Sequence, residues 1–327
     1  MLADVQAHFG FKRPLYGAGV FETEHQRTVV REVCSAVQTG RLVLLSGLVG
    51  SGKTHLLTRI EDELTRAGRV AVSRSLAVEK TRVTLSTLIE ALFYDLGDKN
   101  VVIPKPPEKR ERELRDLVRK ARRPVVLIVD EAQDLHPKTL TSLKRLMEVI
   151  AGGGGLLSML LAGHPKLRID LRRPEMEQVG YRTSIFEYDG VAGHQRDYMA
   201  WLLAACAEDG VKVADTIDAD ALDLLAQKLR TPLQAAEQRS QRDRDAPGAG
   251  FRGGVPRRCQ AGAGDGVLSR AIDDLEPRLI RNGYDAATLA REFGAKPAEI
   301  RTFLAGTLGA DRTRELTDQM RAAGVPL

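Results

Sequence analysis

The chain has 327 residues, 43% of them hydrophobic and 28% charged, which is typical of a soluble globular protein with one large and one smaller domain. Its net charge of +5 permits an anionic partner, but the basic residues are spread along the chain and equally fit a solvated surface. No stretch approaches the roughly 18 consecutive apolar residues of a membrane span, and Cys34, Cys206 and Cys259 lack metal-ligand spacing, so we expect a cytoplasmic protein with reduced thiols.

The apolar periodicity of the first 190 residues alternates between strand and helix patterns. Such alternation predicts a mostly parallel, doubly wound α/β sheet with right-handed crossovers. The predicted strands are Leu42–Ser46, 69–76, Val125–Val129, 156–163 and 184–190, and the predicted helices are 54–67, 85–97, 109–121 and 137–151.

Residues 47–54, GLVGSGKT, follow the first strand, open the first of these helices and satisfy the phosphate-loop pattern G-x-x-x-x-G-K-T. Glycines let backbone N–H groups turn toward a polyphosphate at a helix N-terminus, where the helix dipole favours an anion. Lys53 is predicted to contact the terminal phosphates of ATP, and the Thr54 hydroxyl to bind Mg²⁺. A chance glycine turn before an amphipathic helix is the alternative. The candidate nucleotide-binding residues here are Gly47, Gly50, Ser51, Gly52, Lys53, Thr54 and His55.

A second motif, RRPVVLIVDEAQDL, ends the predicted strand Val125–Val129 with two acids. Acids at the carboxyl end of a strand in an α/β sheet point into the ligand crevice. Asp130 is predicted to hold Mg²⁺, and Glu131 to orient and polarise the attacking water. An ordinary strand ending in an acidic turn is the alternative.

The two motifs together resemble AAA+ ATPases. The letters DEAQDL, with FGFKRPLYGAGVFET upstream and LLAGHPKLRIDL downstream, narrow the resemblance to the ATPase domain of ExeA-type secretion ATPases and TniB- and MuB-type transposition helpers, over residues 9–229. It implies a P-loop NTPase (AAA+) fold with a C-terminal helical lid, ATP hydrolysis with Mg²⁺, and a homo-oligomer.

The resemblance also implies two further residues of the ATP site. His164, after the strand 156–163, stands where related proteins often have a Gln that contacts the γ-phosphate or the water; an ordinary loop histidine is the alternative. Arg182, just before the last strand, is the best candidate for the arginine that a neighbouring subunit supplies to the ATP site. A surface arginine without a role in catalysis is the alternative. The other arginines considered for that role are Arg168, Arg172 and Arg173.

The stretches 196–210 and 218–233 are amphipathic and resemble the helical lid of the family. Leu233 stands where the family commonly has a second sensor arginine, so the resemblance leaves open whether this chain has that sensor, with Arg230 as the candidate substitute. We expect domains at 1–190 (ATPase core), 191–233 (partial lid), 234–266 (irregular) and 267–327 (helical tail).

Within the tail, TLAREFGAKPAEIRTFL spaces Ala290, Gly294 and Ile300 as in a helix-turn-helix. The second helix would present Lys296, Glu299, Arg301 and Thr302 outward, and Lys296, Arg301 and Thr302 are the candidate contacts to double-stranded DNA. A small helical module that docks on a partner protein is the alternative.

The stretch 238–266 has no Leu, Ile or Met and is rich in Arg, Gly and Ala. A flexible linker, an Arg/Gly arm on DNA, and a local compensated frameshift across 235–266 all fit this composition.

The sequence favours an ATP-hydrolysing, DNA-associated helper of a transposase. An ExeA-like secretion ATPase is the first alternative, although we would expect a membrane span and a peptidoglycan-binding domain there and this chain has neither. A non-hydrolysing ATP-dependent scaffold is the second, and Glu131 argues against it.

Overall fold

The computed structural model describes residues 11–12, 18–75, 83–98, 101–173, 176–208, 217–228 and 275–327. The irregular stretch 234–266, with Arg230, Leu233 and Cys259, lies outside these ranges. The described residues form two compact units. The sheet unit comprises His25–Val49, Lys53–Tyr188 and Leu279–Leu327, and the helical unit comprises residues up to Glu24, Gly50–Gly52 and Asp189–Arg278.

Five parallel strands form the centre of the sheet unit, in the order β2-β3-β4-β1-β5. The predicted parallel α/β sheet is therefore confirmed. All residues of β1, β3 and β4 are buried, as expected for strands covered on both faces. The strands are β1 (Leu42–Ser46), β2 (Ala71–Arg74), β3 (Val125–Val129), β4 (Leu157–Gly163) and β5 (Thr183–Glu187).

Helices cover both faces of this sheet. The helices before the C-terminal segment are α1 (Glu24–Ala36), α2 (Lys53–Ala67), α3 (Leu85–Leu96), α4 (Pro107–Lys120), α5 (Pro137–Gly152), α6 (Pro165–Leu171) and α7 (Glu177–Gly180). One core cluster joins strand residues such as Leu127 to Leu88 of α3, Leu114 of α4 and Leu143 of α5. The second cluster joins the opposite strand face to α1 and α2, because successive strand residues point to opposite faces.

The parallel arrangement brings the carboxyl ends of all five strands to one edge of the sheet. The phosphate loop follows β1, the Asp130-Glu131 pair follows β3, and His164 follows β4. Gly47 fixes the start of the loop, since its N–H donates to the Gly163 carbonyl oxygen at 3.1 Å. This edge is therefore the position of the predicted ATP site.

The helical unit contains α8 (Gln195–Cys206), which begins one residue before the predicted stretch 196–210, and α9 (Ala219–Lys228), which lies within the predicted stretch 218–233. Its buried cluster includes Phe11, Leu203 and Leu222. The Trp201 ring lies 6.0 Å from that of Tyr198 and 5.4 Å from that of Phe21, so both aromatic residues of α8 pack within this unit.

The C-terminal segment is helical, as predicted for the tail. Its helices are α10 (Leu275–Arg281), α11 (Ala286–Glu292), α12 (Pro297–Leu304) and α13 (Ala310–Ala322). Asp285 begins α11, because its carboxylate accepts a hydrogen bond from the Thr288 N–H at 2.7 Å. The buried side chains of this segment are Leu279, Tyr284, Leu289, Ala290, Ile300, Phe303, Leu316, Met320 and Val325.

Candidate functional site

The phosphate loop has the backbone geometry that its glycines allow. Gly50 and Gly52 have φ angles of 76° and 95°, a region that side-chain-bearing residues rarely adopt. Ser51 is 2% exposed, while His55 is exposed on α2. Lys53 begins α2 and is only 5% exposed, so a charged side chain is held within the loop.

The Lys53 ammonium group has two acceptors in the loop itself. Nζ donates to the carbonyl oxygens of Gly47 and Leu48, each at 2.9 Å. Burial lowers the pKa of Lys53, and the negative charges of Glu131 and Asp130 act in the opposite direction. An ammonium group has three N–H donors, so one remains for a phosphate oxygen. The lysine therefore fits a polyphosphate ligand.

Thr54 and Asp130, which are 76 residues apart in sequence, meet at the carboxyl edge of the sheet. The Thr54 hydroxyl donates to Asp130 Oδ2 at 2.8 Å, and Asp130 Oδ1 accepts the Glu131 N–H at 2.9 Å. A hydroxyl beside a carboxylate supplies the hard oxygen donors that Mg²⁺ prefers. The donor set therefore fits the predicted ion.

Glu131 has an unusual backbone conformation for its residue type. Its φ and ψ angles are 53° and 41°, in the left-handed region, although it is not a glycine. Such conformations cost about 1–3 kcal/mol and cluster at functional sites. The Glu131 side chain is 43% exposed at the same edge as Lys53, so a water molecule can reach the carboxylate.

His164 lies beside Glu131. Its Nε2 is 3.6 Å from Glu131 Oε2, and its side chain is 17% exposed. Burial, followed by the positive charge of Lys53, lowers the pKa of His164, and Glu131 acts in the opposite direction. The neutral ring is therefore favoured at pH 7, where it can donate or accept one hydrogen bond.

Arg182 lies at the amino ends of the strands, whereas the phosphate loop lies at their carboxyl ends. Arg182 precedes β5, whose five residues span about 16 Å, while the loop follows the neighbouring parallel strand β1. Its side chain is 66% exposed, and Nη1 donates to Glu148 at 2.9 Å. Arg182 is thus far from the ATP site of its own chain and accessible to a second molecule.

The other three arginines have different surroundings. Arg168 forms an ion pair with Glu187 at the end of β5. Arg173 lies 3.3 Å from both Asp170 and Glu292. Arg172 directly follows α6 and is exposed.

The sequence did not predict that the C-terminal segment touches the edge that carries the ATP-site motifs. The Val49 N–H donates to the Arg281 carbonyl oxygen at 3.0 Å, and the Lys166 N–H to that of Asn282 at 3.4 Å. Gly283, with φ +90°, lies against the His164 ring. The dipeptide Asn282-Gly283 is a turn signal, but it carries no information about a partner more than 100 residues away.

An ion-pair cluster fastens the same segment to α6. Lys166 Nζ lies 2.6 Å from both Asp170 and Glu292, and 5.8 Å from the centre of the Tyr284 ring. The Lys166 and Glu292 side chains are 13% and 11% exposed. Burial raises the pKa of Tyr284, and the carboxylates of Glu292 and Asp170 add to this effect. The first helix of the predicted helix-turn-helix, α11, is therefore held against α6 within the sheet unit.

The residues of the predicted helix-turn-helix form two short packed helices. Ala290 and Ile300 are 5% and 0% exposed, and Gly294 has φ +61° in the turn between α11 and α12. Lys296 and Arg301 are exposed. Thr302 is also exposed, and its hydroxyl donates to the Glu299 carbonyl oxygen at 2.8 Å within α12.

Comparison with known proteins adds family and fold information. A sequence model of the family described as "AAA domain" matches residues 36–169. General secretion pathway protein A of Aeromonas hydrophila is 29% identical over 152 residues, which are 44% of this chain and 26% of that relative. The match therefore spans about a quarter of the relative's length.

Similar solved structures include proteins of Aeropyrum pernix and Pyrobaculum aerophilum. The ORC2 protein of Aeropyrum pernix, in its ADPNP-ADP complexes, is 13% identical with a TM-score of 0.54, covering 96% of this chain and 90% of that one. Cdc6p of Pyrobaculum aerophilum is 14% identical with a TM-score of 0.48, covering 73% and 66%. The fold is that of an AAA+ P-loop NTPase. None of the described helices is long and apolar enough to cross a bilayer.

Proposed function

We propose that this protein binds and hydrolyses ATP and that it associates with double-stranded DNA as the helper of a transposase. One observation carries the ATPase assignment: Lys53, Thr54, Asp130 and Glu131 come together at the carboxyl edge of the sheet, with the Thr54 hydroxyl 2.8 Å from Asp130. This is the residue set that phosphoryl transfer needs.

In the proposed reaction, backbone N–H groups of the phosphate loop and the free N–H of Lys53 hold the β- and γ-phosphates of ATP. When bound at Thr54 and Asp130, Mg²⁺ would neutralise charge on the phosphate oxygens. The Glu131 carboxylate accepts a hydrogen bond from a water molecule and aligns its oxygen with the γ-phosphorus. The water oxygen forms a bond to the γ-phosphorus while the bond from that phosphorus to the bridging oxygen breaks. ADP leaves with the electron pair, inorganic phosphate is the second product, and the proton of the water passes to Glu131.

Charge that develops on the transferring phosphoryl group calls for a cation on its outer side. Arg182 lies at the amino ends of the strands, away from the ATP site of its own chain. This position supports a role in the site of a neighbouring subunit. His164, neutral and beside Glu131, would contact the γ-phosphate or the water. The proposal therefore includes a nucleotide-dependent homo-oligomer.

The DNA association is supported by the exposed surface of α12. Lys296 and Arg301 are exposed on the second helix of a two-helix turn, with Ala290 and Ile300 buried beneath it. Such a helix can enter a major groove or contact phosphates. The preceding helix α11 is paired with α6 next to the ATP site through Glu292 and Lys166, and this attachment would link DNA contact to nucleotide state.

Fluorescence anisotropy with a labelled nonspecific duplex tests this association, with and without ATP and over a salt series. Phosphate contacts release counterions, so affinity should fall steeply with salt. The Lys296→Ala, Arg301→Ala double variant should bind more weakly, with a salt slope lower by about 2. The double variant Arg119→Ala, Lys120→Ala on α4 removes the same charge elsewhere and should leave binding unchanged. Absence of wild-type binding at every salt concentration would rule out the DNA role.

A secretion ATPase is the second candidate, because the curated relative is a general secretion pathway protein. DNA binding separates the two functions: ATP turnover without any affinity for duplex favours secretion. A gene position beside a transposase gene would favour the transposition role. A non-hydrolysing scaffold is the third candidate, and turnover that depends on Glu131 would exclude it.

A further inference from the structure

The Gln133 side chain connects the tips of two neighbouring strands at the ATP site. Its Nε2 donates to Glu131 Oε2 at 2.6 Å, and its Oε1 accepts the His164 N–H at 3.3 Å. Glu131 follows β3 and His164 follows β4, so one amide group spans the two strand ends that carry the predicted site residues.

The local packing fits this bridge closely. A Cβ on Gly163 would stand 3.0 Å from Gln133 Oε1 and 3.4 Å from its backbone nitrogen. A glycine at 163 therefore lets the amide approach β4. Ala132, fully buried, anchors the short 3-10 turn Ala132–Asp134 that carries Gln133. The amide is therefore held on both sides rather than free to sample rotamers.

The bridge matters because Glu131 has few other constraints. Its backbone is in the left-handed region, and its side chain is 43% exposed. Among the residues that the structure describes, Gln133 is the one hydrogen-bond donor to the Glu131 carboxylate; His164 Nε2, at 3.6 Å, is just beyond bonding distance. The bond engages Oε2 and leaves Oε1 for a water molecule.

We propose that Gln133 is a positioning residue for hydrolysis: it fixes the Glu131 carboxylate so that Oε1 meets the attacking water. The proposal rests on the proposed function of Glu131 as the group that orients this water. Gln133 is proposed to act through Glu131 rather than on the nucleotide or the water. Its effect is confined to the alignment of Glu131, and misplacement of a catalytic group by about 1 Å can cost on the order of 100-fold in rate.

Two variants separate positioning from simple strand tethering. Gln133→Met keeps the length and apolar volume of the side chain but removes both hydrogen bonds. Gln133→Glu keeps an acceptor for the His164 N–H but cannot donate to Glu131 at neutral pH. If the bond to Glu131 matters, both variants lose activity. If instead the hydrogen bond from the His164 N–H matters, Gln133→Glu retains that bond and therefore retains activity, while Gln133→Met loses activity.

The test compares kcat and KM for ATP with the Kd for a fluorescent ATP analogue and the melting temperature. For both variants we expect kcat to fall about 10- to 100-fold, while KM, Kd and the melting temperature stay within about twofold or a few degrees of wild type. Glu131→Gln, measured in parallel, should bind the analogue and have no turnover.

The outcomes separate the two proposals. Wild-type turnover in Glu131→Gln overturns the proposed function, and the Gln133 proposal with it. An inactive Glu131→Gln together with unchanged kcat in both Gln133 variants overturns the Gln133 proposal alone. So does a loss of kcat in Gln133→Met that Gln133→Glu does not share, or a loss that Kd and melting temperature follow.

Discussion

Gly283 lies against the imidazole ring of His164: a Cβ built on Gly283 would stand 2.6 Å from His164 Nδ1 and 2.9 Å from its Cβ. This contact joins the turn between α10 and α11 to the residue that follows β4. His164 Nε2 is also 3.6 Å from Glu131 Oε2. His164 therefore lies between the C-terminal helices and the predicted catalytic carboxylate.

Replacing Gly283 by alanine should therefore destabilise the sheet unit. Alanine at φ +90° is strained, and its Cβ has no room beside His164. Gly306→Ala is the matched control, because Gly306 has φ +70° with nothing within 4 Å of its Cβ position. In urea denaturation, we expect Gly283→Ala to lose about 1–3 kcal/mol more than Gly306→Ala. Equal losses would show that the contact is not tight.

The Lys166–Glu292 ion pair should contribute measurably to the attachment of α11. Both side chains are mostly buried, and Glu292→Gln would leave Lys166 with Asp170 alone and Arg173 with a weaker contact. We expect a loss of about 1–3 kcal/mol in the free energy of unfolding, below the cost for a fully buried pair. Glu113→Gln, in the exposed pair with Lys109, should change it by less than about 0.5 kcal/mol. If Glu292→Gln behaves like Glu113→Gln, the pair is energetically neutral.

The strands show how far sequence patterns reach. The boundaries of β1 and β3 agree with prediction because both are continuous apolar runs, buried on both faces, with turn or acidic residues after them. β2 is shorter than the predicted 69–76 because it lies at the edge of the sheet and pairs only with β3. β5 ends at Glu187 rather than continuing to 190, since its partner β1 has five residues and pairs with Thr183–Glu187 one for one.

Some residues of the candidate site could be predicted from the sequence and others could not. The motifs identify Lys53, Thr54, Asp130 and Glu131 because the chemistry of phosphate and Mg²⁺ fixes residue type and spacing. Gln133 was visible within DEAQDL, but its bond to Glu131 depends on the left-handed backbone of Glu131, which no local pattern predicts for a glutamate. The Gly283–His164 contact joins residues that are 119 positions apart and has no sequence signal at all.

Arg182 is predicted to act across a subunit interface, and mixing experiments can reveal this. Arg182→Ala and Glu131→Gln should each have little ATPase activity alone, with nucleotide affinity retained. In a mixture, an interface that combines Glu131 from one subunit with Arg182 from its neighbour is complete, so activity should return. A mixture no more active than its components, in a sample shown to oligomerise, would contradict the assignment and direct attention to Arg172.

The pH dependence of stability should report the burial of Tyr188, which follows β5. Burial raises its pKa to about 12, while the hydrogen bond from Gln26 Nε2 at 2.9 Å and the charge of Arg59 act in the opposite direction. The folded pKa exceeds the unfolded value near 10, so the stabilisation is complete below pH 10 and is lost as pH rises toward 12.

Tyr188→Phe keeps the ring and removes the ionisation. Between pH 9 and pH 11.5, the free energy of unfolding should therefore fall less in this variant than in the wild type, by an amount on the order of 2 kcal/mol. Urea denaturation at each pH measures the difference. Parallel curves for the two proteins would contradict the prediction.

The most direct test of the ATPase assignment is the turnover of Glu131→Gln beside its binding of ATP. We expect the wild type to hydrolyse ATP in the presence of Mg²⁺, and Glu131→Gln to bind ATP with similar affinity but to lose at least about 100-fold in kcat. Glu113→Gln, the same substitution on the exposed face of α4, should match the wild type. Glu131→Gln that turns over ATP at the wild-type rate, or a wild-type protein that binds no ATP, would contradict the account.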